Sequence, residues 1–191
     1  MAKAMLQIFA ALLVFSAAAA GQTNAPAGAP AGAPPDASPN DSAVYVTGDQ
    51  IQDVAKQLSA VTKGTAFRIV DVGNAYVGVA LQNRLKIAPG GRVPGPILHT
   101  NVTEVYYVLS GSATMATGGV MTDQKPRKAG SEEGTGPGFD GTVAKPNDVR
   151  KIKAGDVVII PKNMAHWFSE VPEDITYLVV RIDPEKSIGL K

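Results

Sequence analysis

The stretch GRVPGPILHTNVTEVYYVLSG (residues 91–111) and the stretch GDVVIIPKNMAHWFSE (residues 155–170) contain the only two histidines of the 191-residue chain. In each stretch a histidine lies next to a run of β-branched and aromatic residues, a pattern that is typical of β-strands. Alternate side chains of a strand point to the same face. We therefore expect Glu104 to share a strand face with Tyr106.

A metal site is predicted if these two strands face the inside of one small barrel. His166 shares its strand face with Phe168, and His99 precedes the strand that carries Glu104. Two imidazoles and one carboxylate, with open coordination positions, form the facial triad that suits Fe(II), and the same donors also bind Zn, Mn or Ni. We predict one divalent metal ion held by His99, Glu104 and His166. The alternative is a metal-free polar cluster in which these side chains hydrogen-bond to one another.

Composition excludes several classes of protein. The chain has no cysteine, which removes disulfides, thiol catalysis, Cys-ligated zinc and iron–sulfur clusters. Lys and Arg number 18 against 17 Asp and Glu, and no basic stripe is present, so nucleic acid is not expected as a partner. Hydrophobic residues make up 45% of the chain, which is a globular composition.

The first 42 residues are not expected to belong to the folded domain. Lys3 precedes an apolar run and then small residues, so residues 1–20 have the pattern of a secretory signal peptide. Residues 21–42 are rich in Ala, Gly and Pro and are predicted to be a linker. The folded domain is predicted over residues 43–191. We expect a periplasmic or secreted protein with no membrane association after signal cleavage, because the apolar run is too short to span a bilayer.

One helix and many short strands are predicted within that domain. Thr47 and Gln50 have the spacing of a capping box, and apolar residues then recur at helical spacing to about Ala60. Strands are predicted at Ala66–Val72, Tyr76–Ile87, Glu104–Leu109, Ser112–Thr117, Asp156–Ile160, His166–Glu170 and Ile175–Ile182. Short strands after a single helix favour an antiparallel sandwich or barrel.

The stretch 118–151 interrupts this order because it is rich in Gly, Pro and charged residues. A loop of this length inside a compact domain is either functional or poorly ordered. Two interpretations stay open: a lid over the metal site with Phe139 as an apolar plug, or a plain mobile insertion.

The two histidine-containing stretches resemble the two sequence motifs of the cupin superfamily, G-x5-H-x-H-x3–4-E-x6-G and G-x5-P-x-G-x2-H-x3-N. The residues that match in register are Gly91, His99, Glu104 and Gly111 for the first motif, and Gly155, Pro161 and His166 for the second. The resemblance covers about residues 76–183. It implies an all-β fold, the double-stranded β-helix or jelly-roll barrel, here with one short N-terminal helix.

Three positions depart from the cupin motifs. Ile97 stands where the first histidine of the H-x-H pair is expected, Asn163 replaces a glycine and Glu170 replaces an asparagine. Cupins commonly bind their metal through three histidines and one glutamate, so the resemblance implies a reduced ligand set. In an alternative register His99 opens the H-x-H pair, but the motif glutamate then comes one residue too early.

The resemblance implies a metal-dependent enzyme that acts on a small organic molecule, as a dioxygenase or as an isomerase or lyase. The alternative is a non-catalytic cupin that binds a small ligand as a sensor or carrier. No organic cofactor is expected. A homodimer is expected because cupins often dimerise through their sheets.

Several further side chains are candidates for the pocket. Ile97, Tyr106 and Phe168 are expected to line it, and Tyr106 is the candidate for a catalytic proton donor. Arg84 and Arg181 are candidates to orient an anionic substrate, although arginines on strands are more commonly exposed.

Overall fold

The computed structural model describes residues 42–127 and 135–189. The predicted signal peptide and all but the last residue of the predicted linker lie outside these residues. Helix α1 spans Gly48–Leu58 and begins with the capping box that the sequence predicts. Gln50 donates its backbone N–H to Thr47 Oγ1 at 3.3 Å, and Thr47 donates its own to Gln50 Oε1 at 3.0 Å. Two of the amides that a helix start leaves unpaired are thereby satisfied.

Eleven strands follow within the described residues. Their bounds are β1 Lys63–Asp71, β2 Tyr76–Arg84, β3 Ile97–His99, β4 Thr103–Ser110, β5 Ser112–Thr117, β6 Met121–Arg127, β7 Gly138–Val143, β8 Asp148–Lys153, β9 Val157–Ile160, β10 His166–Glu170 and β11 Ile175–Asp183.

The strands form two antiparallel sheets. The five-stranded sheet has the order β1-β2-β11-β4-β9, and the six-stranded sheet has the order β6-β7-β3-β10-β5-β8. Strands that are distant in the chain are therefore neighbours in each sheet. This is the double-stranded β-helix that the sequence predicts.

The main core lies between the two sheets. On β4 the buried residues alternate with more exposed ones, so Tyr106 and Val108 face inward. Tyr177 and Val179 of β11 continue the same inner face, and Met115 of β5 packs against them from the other sheet. The alternation gives each sheet one apolar inner face, and burial of these two faces drives their association.

The stretch 118–151, for which the sequence analysis predicts a loop, contains β6, β7 and the first four residues of β8; residues 128–134 are outside the described part. The prediction of a loop is therefore wrong. β6 and β8 are the two edge strands of the six-stranded sheet. Edge strands tolerate charge and proline, so their composition is close to that of a loop. Phe139 of β7 packs against the cluster of Leu98, Met121 and Ala165, and it does not line the cavity described below.

No helix within residues 42–127 and 135–189 combines the length and the apolar character needed to cross a membrane.

Two motif glycines provide a matched test of the fold. Gly111 has a φ of +75°, and a Cβ there would lie 1.8 Å from the carbonyl oxygen of Asp174. Gly155 has a φ of +91°, but its Cβ would meet nothing within 4 Å. We expect Gly155→Ala to lower the free energy of unfolding by roughly 1–2 kcal/mol, the cost of a left-handed backbone. Gly111→Ala should lose about 1–3 kcal/mol more through steric overlap.

Urea unfolding followed through Trp167 fluorescence measures both losses. Equal losses for the two variants would show that the contact between Gly111 and Asp174 is not a tight constraint.

Candidate metal centre

The six-stranded sheet supplies both histidines from adjacent strands. His166 of β10 lies directly opposite Ile97 of β3, and His99 lies two residues beyond Ile97 on the same strand. Side chains two apart on a strand share a face, so both imidazoles point into the barrel. Each histidine is only 3% exposed.

The five-stranded sheet supplies a carboxylate and its counter-charge. Glu104 of β4 is directly opposite Arg181 of β11, and Arg181 Nε donates to Glu104 Oε1 at 2.8 Å. The exposed fractions of the two residues are 1% and 3%. Arg181 therefore holds Glu104, a role different from the substrate-orienting one considered for it from the sequence. Every second residue of β11 is buried, beginning with Ile175, Tyr177 and Val179. Arg181 continues this series, so the alternation in the sequence could have predicted that it faces inward.

The second oxygen of Glu104 faces the other polar side chains of the barrel. Tyr106 donates its hydroxyl proton to Oε2 at 3.1 Å. The Nε2 atoms of His166 and His99 lie 3.2 Å and 3.8 Å from the same oxygen. The structure thus brings together His99, Glu104 and His166, the residues that the sequence analysis selects as metal ligands.

Backbone carbonyl groups fix the orientation of both imidazole rings. His99 Nδ1 is 3.3 Å from the carbonyl oxygen of Gly136, and His166 Nδ1 is 3.0 Å from that of Met164. A carbonyl oxygen only accepts hydrogen bonds, so Nδ1 carries the proton in each ring. In the neutral imidazole, Nε2 then has a lone pair directed at the carboxylate, which is the arrangement of a metal-ligating histidine.

This donor set fits a divalent transition metal ion. The buried Nε2 of His166 has no hydrogen-bond partner among the described residues, although it faces Glu104 Oε2. Two lone pairs at this distance need a proton or a metal ion between them. The three candidate ligand atoms all lie within 4.8 Å of one another, and two atoms bound to one metal are at most about 4.3 Å apart. These separations are close to those between the ligand atoms of a single bound metal ion.

The protonation states suit metal binding. Burial alone would raise the pKa of Glu104, but the charge of Arg181 and the nearby imidazoles of His166 and His99 hold that pKa well below its usual range. Burial lowers the pKa of His99 from 6.5 to about 4, against the opposing effect of Glu104. The carboxylate is therefore ionised and His99 is neutral at pH 7, as metal ligands must be. Burial also raises the pKa of Tyr106 well above its ordinary value, so its hydroxyl stays protonated and donates to Glu104.

A cavity of about 380 Å³ opens onto His166. The three residues expected to line the pocket, Ile97, Tyr106 and Phe168, all belong to its wall. Trp167 also lines it, although the sequence pattern places it on the opposite face of β10.

Two departures from the cupin motifs have structural explanations. Asn163 has a φ of +63°, a conformation in which asparagine is the usual substitute for glycine. Its backbone N–H donates to the carbonyl oxygen of His99 at 2.7 Å. Glu170 accepts a hydrogen bond from Thr114 Oγ1 at 2.7 Å, so its carboxylate has a partner on β5.

Comparison with known proteins identifies the family. A sequence model of the Cupin family matches residues 76–190, more than half of the chain. The chain therefore belongs to the cupin family. A comparison with curated proteins found no match.

Solved structures with similar folds include three bacterial proteins of low sequence identity. A conserved protein with a double-stranded β-helix domain from Klebsiella pneumoniae is 17% identical, with 66% of this chain and 84% of that chain covered and a TM-score of 0.39. A protein from Bacillus halodurans is 12% identical, with 80% and 93% covered and a TM-score of 0.46. A cupin protein from Bacteroides fragilis is 17% identical, with 60% and 72% covered and a TM-score of 0.36.

The lowered pKa of His99 predicts that the metal-free protein is destabilised by acid. In the unfolded chain His99 takes up its proton near pH 6.5, whereas in the fold it does so only near pH 4. Between these values the unfolded state binds more protons, so stability falls as pH falls. The expected loss from this residue between pH 7 and pH 5 is about 2 kcal/mol.

Urea unfolding with EDTA at both pH values measures this loss. His99→Gln keeps a polar side chain but cannot titrate, so its own loss over this interval should be smaller by that amount. The same loss in the wild type and in the variant would contradict the prediction.

Proposed function

We propose that this cupin binds one divalent transition metal ion (Fe, Mn, Zn or Ni) through His99 Nε2, Glu104 Oε2 and His166 Nε2. We further propose that it is a metal-dependent enzyme acting on a small organic molecule. The observation that carries this proposal is the convergence of two oriented imidazole nitrogens on one ionised carboxylate oxygen inside the barrel.

The surrounding residues have defined roles in this proposal. Arg181 holds Oε1 of Glu104, and Tyr106 donates to Oε2, the oxygen that is directed at the two histidines. The apolar wall of the cavity, with Ile97 and Phe168, limits access of water to the site. A metal held here supplies Lewis-acid chemistry, or oxygen-dependent chemistry if it is Fe(II). Both reaction classes, dioxygenase and isomerase or lyase, are compatible with these side chains.

Tyr106 acts in this proposal through Glu104. Its hydroxyl proton is donated to Oε2, and its raised pKa makes it a weak acid. Tyr106 also lines the cavity. A catalytic role for its hydroxyl as a proton donor to a bound substrate stays a prediction.

One observation favours the alternative function, a non-catalytic cupin that senses or carries a small ligand. The charge of Glu104 is already balanced by Arg181, so the barrel can be stable without a metal ion. In that case the cavity next to His166 is a ligand site only.

The metal proposal predicts a stoichiometry of one. Purified protein that is stripped with EDTA, incubated separately with Fe(II), Mn(II), Zn(II) or Ni(II), and desalted should retain close to one ion per chain of at least one metal. Glu104→Gln and His166→Ala each remove one of three donors, and the affinity should fall by about tenfold or more. Elemental analysis and isothermal titration calorimetry measure retention and affinity.

Glu170→Gln is the matched control because it alters a carboxylate on the same strand as His166 without touching the predicted ligands. It should retain the metal like the wild type. Absence of retained metal in the wild type would remove the metal-dependent function and leave the ligand-binding alternative. Full retention by both ligand variants would show that the ion binds elsewhere.

Ile97 offers a gain-of-function test of the same site. Its position opposite His166 places a histidine introduced there beside the predicted ligands. Ile97→His should tighten metal binding by about tenfold or more, because the metal gains a fourth protein donor. Val149→His adds a histidine at an exposed site on β8, where Val149 is 52% exposed, and should leave the calorimetric affinity unchanged. An unchanged affinity in Ile97→His would show that position 97 does not face the metal.

We also propose export to the periplasm or the outside of the cell, and assembly as a homodimer. The pattern of residues 1–20 supports export. Exposed apolar side chains on the outer face of the five-stranded sheet support a dimer interface: Tyr107 is 45% exposed, Val157 59% and Ile159 66%. Both proposals stay predictions.

A further inference from the structure

Arg181 differs in position from the arginines that line the cavity. Arg84, Arg92 and Arg127 belong to the cavity wall. Arg181 is not among the described residues of that wall, and it is only 3% exposed on the inward-facing side of β11. Any effect of Arg181 on a molecule bound in the cavity therefore acts through another side chain.

The side chain through which Arg181 acts is that of Glu104. Strands β11 and β4 place the two residues directly opposite each other, and Arg181 Nε donates to Glu104 Oε1 at 2.8 Å. Both side chains are almost completely buried. A hydrogen bond between two charged groups is stronger than one between neutral groups, and here it fixes the orientation of the carboxylate. The oxygen Oε1 is therefore engaged by Arg181.

The other oxygen of Glu104 is the one that the two imidazoles face. The Nε2 atoms of His166 and His99 lie 3.2 Å and 3.8 Å from Glu104 Oε2. A carboxylate binds a metal ion through one oxygen or through both, and this choice decides how many coordination positions remain for other ligands. A second metal–oxygen bond at Glu104 would require Oε1 to leave Arg181, and breaking a buried ion pair is strongly unfavourable.

The cavity gives other ligands access to this centre. Ile97 lies directly opposite His166, and both residues line the cavity. An isoleucine side chain has no atom that binds a metal ion. A molecule in the cavity therefore approaches the centre on a side where Ile97 supplies no competing donor. Catalytic metal sites keep a coordination position open for water or substrate in this way.

We propose that Arg181 is a positioning residue that keeps Glu104 Oε1 away from the metal ion. The ion then takes only Oε2 from this carboxylate and retains a coordination position for a substrate in the cavity. The inference rests on the proposed function in taking His99, Glu104 and His166 as the metal ligands. It goes beyond that function because it assigns control of the number of bound carboxylate oxygens to a residue that does not touch the ion.

Cobalt(II) is the probe that tests this assignment in the full-length protein. It binds nitrogen and oxygen donors more tightly than Fe(II) or Mn(II) does, and its visible absorption depends on the number and arrangement of its ligands. In a crystal structure of the Co(II)-loaded wild type, Glu104 Oε2 should lie about 2.0–2.2 Å from the ion. Oε1 should be beyond bonding distance and should still accept the hydrogen bond from Arg181.

Two substitutions of Arg181 separate positioning from stability. Methionine fills much of the same volume but has no N–H group, so in Arg181→Met both carboxylate oxygens can bind the ion, and the visible spectrum of the Co(II) protein should shift. Arg181→Lys restores a charged donor to Oε1 and should reproduce the wild-type spectrum. An arginine with a purely structural role would lower the stability of both variants without altering the spectrum of the loaded protein.

Arg150→Met is the matched control for the loss of an arginine. Arg150 is exposed on β8 and pairs with Asp148. The Co(II) spectrum of this variant should equal that of the wild type. Because Arg181→Met leaves a buried carboxylate without its charge partner, the wild-type crystal structure and the spectrum of Arg181→Lys decide the question if that variant does not fold.

The results separate this inference from the proposed function. Three results overturn the inference and leave the proposed function standing: both Glu104 oxygens bound to Co(II) in the wild type, a wild-type spectrum in loaded Arg181→Met, or a spectrum of Arg181→Lys that differs from that of the wild type. A wild type that retains no Co(II) also overturns the inference. If that protein retains none of Fe, Mn, Zn and Ni either, the proposed metal-dependent function falls with it.

Discussion

The centre of this barrel depends on one buried carboxylate and the side chains that hold it. Glu104 is almost completely buried, and an ionised carboxylate in such a place is stable only if it is paired and hydrogen-bonded. Arg181 provides the opposite charge from the neighbouring strand, and Tyr106 provides a hydrogen bond from the same strand. Arg181 engages Oε1, so the histidines face Oε2, the oxygen that also accepts the Tyr106 hydroxyl. The geometry of the candidate site follows from these different partners of the two carboxylate oxygens.

The same carboxylate connects the two sheets. Glu104 and Arg181 belong to the five-stranded sheet, whereas both histidines belong to the six-stranded sheet. The aromatic residues beside this site, Tyr106 and Tyr177, have ring centroids 4.8 Å apart and are also part of the main core. The polar centre is therefore continuous with the close-packed apolar core between the sheets.

Local and periodic features could be predicted from the sequence, but pairings between distant strands could not. The capping box at Thr47 and the inward alternation of Glu104 and Tyr106 depend on neighbouring residues, and the structure has both. The ion pair of Arg181 with Glu104 depends on strand register, which joins residues 77 positions apart. The edge strands β6 and β8 were missed because solvent permits them a polar composition. The arginines of the cavity come from separate elements, so no local motif contains them.

The turn at Asn163 couples the two halves of the candidate site. The backbone N–H of Asn163 donates to the carbonyl oxygen of His99, while the chain reaches His166 only three residues later. A shift of the segment that carries one histidine is therefore transmitted to the segment that carries the other. The positions of the two imidazoles should therefore be coupled. A ligand that contacts only the cavity wall near His166 should also change the mobility of the His99 side chain.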